Sequence, residues 1–208
     1  MKIDLYKELS YLYAPARKTP AIVSVPEMNF IMFDGAGHPS DKDFQVAAEA
    51  VYTVSYLLKF EIARKRLDMD YKVMPMEVRW SLDRTNGLSF SWTMMIMQPH
   101  FLTRAMFEEA TEIALRKGKS IAYDRLRFEA CEEGLCVQAF HSGDYKKMNE
   151  TLQSMIQFAE DNQLACERDT HDIYLNDSRK TKTENLKAIM RVRAHSDGEH
   201  IDEHNNFN

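Results

Sequence analysis

The chain has 208 residues and a mass of 24.3 kDa, and 44% hydrophobic residues suffice for one core and one domain. A formal net charge of -5, with 28% charged residues, provides no overall basic field for a phosphate backbone, so nucleic acid is not an expected partner. The cysteines Cys131, Cys136 and Cys166 form no Cys-x-x-Cys pair, so neither a zinc site nor a disulfide framework is expected and a reducing, cytoplasmic setting fits.

At the N-terminus Lys2, Asp4, Lys7 and Glu8 interrupt the apolar residues, which excludes a secretory segment there. The longest apolar runs, such as Trp92 to Met97, are far shorter than the roughly 20 residues that cross a bilayer, so no membrane partner is expected. Ala21 to Val25 and Asn29 to Phe33 read as two short strands broken at Pro26-Glu27, the second ending in the loop Asp34-Gly35-Ala36-Gly37-His38-Pro39. Ser40 three residues before Asp43 resembles a capping box, and Phe44, Ala47, Ala48, Val51, Val54, Leu58 and Ile62 recur at helical spacing. Met76 to Leu82 alternates, with Met76, Val78, Trp80 and Leu82 on one face and Glu77, Arg79 and Ser81 on the other. Asn86-Gly87 then turns the chain into Leu88 to Met97. A connector helix is predicted from Thr103 as N-cap to about Lys117, with Gly118 as its stop. Tyr123 to Phe128 and Leu135 to His141 read as strands around Glu132-Glu133-Gly134. Ser142-Gly143-Asp144 opens a helix carrying Tyr145, Met148, Leu152, Met155, Ile156 and Ala159, and His171 to Asn176 and Leu186 to Arg193 are two further strands.

The expected fold is therefore α+β, with a duplicated strand-helix-strand-strand unit related by pseudo-twofold symmetry around a cleft. The first repeat is expected over about 21–100, the connector over 103–118 and the second repeat over 122–193, with a disordered polar tail over 194–208.

Glu77 stands on the face opposite the apolar residues of its strand, and Asp172 holds the matching place in the second half. Two carboxylates facing one cleft would attract an organic cation, and burial or repulsion would raise one pKa toward acid-base duty; the same alternation also suits solvated carboxylates on an exposed sheet face. Trp80, Trp92, Phe90, Phe140, Tyr145 and Tyr174 supply aromatic surface for stacking a flat ligand or for the core. His200 and His204 have helical metal-ligand spacing but stand in a polar tail, so no metal site is expected. Gly35-Ala-Gly37 lacks the third glycine and the strand-helix context of a dinucleotide site, so no cofactor is expected.

Four stretches together resemble the GyrI-like small-molecule-binding family: Phe33-Asp-Gly-Ala-Gly37, Pro75-Met-Glu-Val-Arg-Trp80, His141-Ser-Gly-Asp-Tyr145, and Asp172-Ile-Tyr-Leu-Asn-Asp-Ser-Arg179 continuing to Glu184-Asn-Leu-Lys187. The resemblance runs from about Ala21 to Arg193 and implies an aromatic cleft between two repeats with an acidic residue that meets cationic or polarised ligands. Glu77 inherits that role; Val78 and Asp172 stand where the family often has glycine and glutamate. The resemblance further implies either a binder of planar hydrophobic or cationic drugs and toxins, or a hydrolase that opens the cyclopropane of DNA-alkylating compounds. In the second case Glu77 activates water and Tyr145 or Tyr174 holds the oxygen that gains charge. About twenty residues precede the first strand, too few for a helix-turn-helix domain, so a stand-alone module is expected.

Overall fold

The computed structural model describes residues 1–14, 19–83, 89–118 and 122–196. Its elements are β1 (Lys2–Ile3), α1 (Leu5–Glu8), α2 (Ser10–Tyr13), β2 (Ala21–Val25), β3 (Met28–Ala36), α3 (Lys42–Leu57), β4 (Asp70–Tyr71), β5 (Met76–Asp83), β6 (Ser89–Gln98), α4 (Arg104–Arg116), β7 (Arg127–Cys131), β8 (Gly134–Ser142), α5 (Met148–Asp161), β9 (Leu164–Cys166), β10 (Thr170–Tyr174) and β11 (Lys187–Ser196). The protein is α+β: one large sheet in the order β2-β8-β11-β10-β5-β6-β3-β7, with β9 added on β11 and every pairing antiparallel.

Alternation along the strands gives the sheet two covered faces. On one face α3 buries Ala47, Ala50, Val51 and Val54, and its Ser55 accepts a hydrogen bond from Gln98 of β6. Farther along that face Met155 and Ala159 of α5 pack on Val137, Ala139, Met190 and Val192 of β8 and β11. The other face is covered by the N-terminal segment, where Leu5, Leu12 and Tyr13 join the main core and β1 pairs in parallel with β4. Burying about 25 cal/mol per Å² of apolar surface on both faces is the main source of stability for such a sheet.

Several local expectations need correction. The cap of α3 is Asp41, not Ser40; the Ser40 hydroxyl bonds the His38 ring, and the Asp41 carboxylate accepts from the His38 N–H. After α3 the chain continues as a π-helix over Leu58–Arg64, so the apolar stripe through Leu58 and Ile62 remains buried in a wider coil. Tyr123–Arg125 is a turn of 3₁₀-helix and the strand starts only at Arg127, because Tyr123 is buried and Arg125 reaches out to Asp43. At the far end β11 runs through Ser196, where Ala194, His195 and Ser196 pair with β9, so the expected tail begins too early. The Asn86-Gly87 turn and residues 197–208 lie outside the described residues. Thr103 caps α4 by accepting from the Met106 N–H, and Gly118 follows that helix with φ +72°, both as expected.

Candidate functional site

The register of the two central strands decides which carboxylate belongs with which aromatics. In the β10–β5 pair, Asp172 stands opposite Val78, Ile173 opposite Glu77 and Thr170 opposite Trp80. Residues opposite one another share a face, so Asp172 and Tyr174 lie with Val78 and Trp80, whereas Glu77 lies with Ile173 and His171. The expectation that Glu77 and Asp172 face one cleft is therefore wrong. Their pairing is offset by one residue, and one residue exchanges the faces of a strand.

On the helix face, Asp172 is buried and its Oδ1 has no hydrogen-bond partner among the described residues. Burial raises its carboxyl from the ordinary 3.8 to about 7, against the opposing pull of the His171 charge and of polar contacts from Trp80 and Tyr174. Tyr145, delivered by the 3₁₀ turn Tyr145–Lys147 ahead of α5, meets Tyr174 edge-on with ring centroids 5.4 Å apart. Its hydroxyl is pushed up to about 12 by burial and by Asp172, so it stays a proton donor at neutral pH. Trp80 is stacked on Phe44, from the first turn of α3, at 5.8 Å and 11°. Trp80, Tyr145, Tyr174 and Phe44 are all partly exposed. The carboxylate thus lies beside Trp80, Tyr174 and Tyr145, with Phe44 stacked on Trp80, where α3 and the turn ahead of α5 approach β5 and β10. Phe44 was missed as a site residue because it fitted the apolar stripe of its helix equally well.

Two further expected ligand contacts, Trp92 and Phe140, fall elsewhere. Trp92 is 2% exposed and wedged against Phe33 and Phe44 in the core. Phe140 pairs with Ile189 on the Glu77 face, away from Asp172. The side chain of Phe90 lies outside the described residues.

Glu77 itself is fully buried in a second polar cluster. The Tyr13 hydroxyl donates to its Oε1 at 2.8 Å, and its Oε2 stands 3.0 Å from His171 Nε2. The other ring nitrogen, His171 Nδ1, is 2.9 Å from Glu133 Oε1, and Arg191 Nη1 donates to Glu133 Oε2 at 2.7 Å. Arg191 also donates from Nε and Nη2 to Gln138 Oε1, and Gln138 Nε2 donates to the Tyr11 carbonyl, which ties the N-terminal segment to the sheet. Against the cost of burial, His171 and Arg191 hold the Glu133 carboxyl far below the usual range, and Glu133 with Glu77 raises His171 above 6.5. In the sequence Glu133 reads only as part of the turn Glu132-Glu133-Gly134. The available signal was that His171, Arg191 and Gln138 each fall in phase with an apolar residue of their own strand, Ile173, Ile189 and Phe140, so part of a covered polar row was legible, whereas Glu77 joins it only through the register of β5 with β10.

Among the described residues no cluster of three or more His, Cys, Asp or Glu side chains is placed to hold a metal ion, and no helix is long and apolar enough to cross a membrane. A solved structure of a hydrolase from Listeria innocua is similar at 35% identity and TM-score 0.84, covering 94% of this chain and all of that one. A second hydrolase structure from the same organism matches at 36% identity and TM-score 0.82, covering 93% of this chain and all of that one. The EcmrR C-terminal domain shares the fold at TM-score 0.56 and 10% identity, covering 86% of this chain and 98% of that domain. No curated protein matches the chain significantly. The family model of the GyrI-like small molecule binding domain matches residues 18–194, nearly the whole described sheet, and the chain belongs to that family.

Proposed function

We propose that the protein is a small-molecule hydrolase, and that Asp172, rather than Glu77, carries the proton transfer. The observation behind this reading is a buried carboxyl raised to about 7, with an unpartnered oxygen, beside Trp80, Tyr145 and Tyr174, with Phe44 stacked on Trp80. A general base is most effective when its pKa lies near the working pH. Flat apolar surface, and any positive charge on the ligand, would be met by the four rings and the carboxylate. The 35% likeness to a Listeria innocua hydrolase along the whole of that chain supports turnover over binding alone.

The substrate we infer is a planar, electrophilic compound, such as a cyclopropane fused to a conjugated dienone. A tyrosine hydroxyl, Tyr145 or Tyr174, donates a hydrogen bond to the dienone oxygen. Ionised Asp172 takes a proton from water as the water oxygen bonds the ring CH₂. The strained C–C bond breaks, its electron pair moves onto the dienone oxygen to form a phenol, and that oxygen takes up a proton. Net change is the addition of one water, with no oxidant or metal required. Such chemistry fits a detoxifying role in a reducing, cytoplasmic setting. The duplicated layout expected from the sequence would place the site at the boundary of two repeats, consistent with the contributions of both helices.

Single-turnover loss of the dienone absorbance, with the product mass checked for one added water, tests the reading. Asp172→Asn should lower kcat by about 10² to 10⁴-fold with dissociation constants within a few-fold, and Phe at Tyr145 or Tyr174 should act likewise for the residue that holds the oxygen. Wild-type protein that binds the compound but adds no water, or an Asp172→Asn variant as fast as wild type, removes catalysis and leaves a sequestering protein.

A further inference from the structure

The cluster behind the sheet takes no part in the reaction above, yet it touches the residue next to the reacting one. His171 and Asp172 are consecutive in β10, their Cα atoms about 3.8 Å apart, and their side chains leave opposite faces of the strand. No water layer separates them: His171 is 3% exposed, Asp172 6%, and Glu77 and Arg191 fully enclosed. Nδ1 of His171 is hydrogen-bonded to Glu133 Oε1 at 2.9 Å, and Nε2 stands 3.0 Å from Glu77 Oε2, an ion-pair distance without a hydrogen bond between them. With the hydrogen of a neutral imidazole on Nδ1, the Nε2 lone pair would stand against the Glu77 carboxylate, and the imidazolium replaces that repulsion with attraction.

We propose that His171 is a positioning residue for Asp172: as an imidazolium clamped by Glu77 and Glu133, it cancels their charge behind the strand and lets the Asp172 carboxylate form near neutral pH. The inference rests on the reading of Asp172 as the reacting carboxylate. With His171 charged, the enclosed set holds two cations, His171 and Arg191, against two anions, Glu77 and Glu133. Arg79, partly exposed, adds a weaker contact to Glu133 at 3.8 Å, and Tyr13 remains a neutral donor. Among the described residues Asp172 meets on the helix face only uncharged polar groups, from Trp80 on β5, Tyr174 on its own strand and Tyr145 ahead of α5. Behind the strand, a neutral His171 would leave the enclosed set with net negative charge. At this range in a dry interior, one charge moves a neighbour's titration by about one pH unit or more.

The test follows Asp172 itself by carbon NMR of the full chain carrying carboxyl-labelled aspartate, its signal assigned by its absence in Asp172→Asn. His171→Gln should raise the midpoint of Asp172 by about one pH unit or more. The double variant His171→Gln/Glu77→Gln, which removes one charge of each sign, should return it to near the wild-type value, and the acid limb of kcat should follow both shifts. A midpoint unmoved or lowered in His171→Gln, or equally high in the double variant, overturns the proposal. Should the single variant not fold, the wild-type His171 ring decides: the proposal requires an imidazolium at pH 7, and a neutral ring sinks it. Because the carboxyl signal is read without substrate, midpoints that move as expected in a protein that adds no water support this inference while removing the hydrolase reading.

Discussion

Gly35 is required by its neighbour across the strand pair. It stands opposite Trp92, and a Cβ placed on it would lie 2.2 Å from Cη2 of that indole, a distance no real contact shows. The Trp92 ring lies over bare backbone, held by Phe33 and by the edge of Phe44, which in turn stacks on Trp80 at the candidate site. Gly35→Ala should therefore cost about 1 to 3 kcal/mol by forcing a buried ring to move, and should also disturb the Phe44–Trp80 stack. Chemical denaturation checks the first effect and tryptophan emission the second; a variant as stable as wild type would show that the ring has somewhere to go. In the sequence, Asp34-Gly-Ala-Gly37 reads as a turn signal. The need for Gly35 comes instead from a residue 57 positions away.

Among the elements, β10 has the most consequence. Its five residues present His171 and Ile173 to one side and Asp172 and Tyr174 to the other, so one strand serves both the buried ion cluster and the candidate site. Removing one partner of a buried ion pair leaves the other uncompensated, which typically costs about 3 to 5 kcal/mol. Arg191→Met, on the neighbouring strand, strands Glu133 and should lower stability by about that amount, while Arg191→Met with Glu133→Gln should recover part of it. Denaturant titration of both variants would measure this coupling, and equal losses in the two would mean that Arg191 acts through packing alone. The existence of β5, β6, β8, β10 and β11 and the limits of α4 were legible, because period-two alternation, a threonine cap and a stop glycine are local signals. The N-terminal helices were not, since neither is longer than four residues and both are held by contacts with the sheet rather than by helix propensity.

For the molecule as a whole, the buried titratable groups set a window of stability. Glu133 has a depressed pKa when folded, so its contribution is complete above its unfolded value near 4.5 and is lost as pH falls through the folded value. His171 has a raised pKa, so its contribution is complete below 6.5 and is lost as pH rises through the folded value. Asp172 is raised from 3.8 to about 7, so the folded state holds the extra proton across that interval and stability falls as pH climbs through it. The melting temperature should be highest near about pH 4 to 5, once Glu133 contributes and before the rising cost of ionising Asp172 takes over. Asp172→Asn removes a charge that the fold disfavours, so it should stabilise the protein by on the order of 1 to 3 kcal/mol more at pH 8 than at pH 5, even as, on the reading proposed above, it slows turnover. Thermal melts at the two pH values check this, and equal gains at both would point to shape rather than charge.

The sequence by itself determined the α+β class, the family, the strand faces and the residue types of the site, because alternation, caps and turn residues act over a few positions. Asp172, Tyr174 and Trp80 were all named from it, as was the alternation that sets Asp172 beside Tyr174. Only the tertiary structure decided which of the two carboxylates joins the aromatics. That choice depends on the offset between β5 and β10, strands that lie about ninety residues apart in the chain, and no local signal carries a register between them. It likewise decided that the polar face of β5 is closed, because the N-terminal segment folds across it and brings Tyr13 onto Glu77.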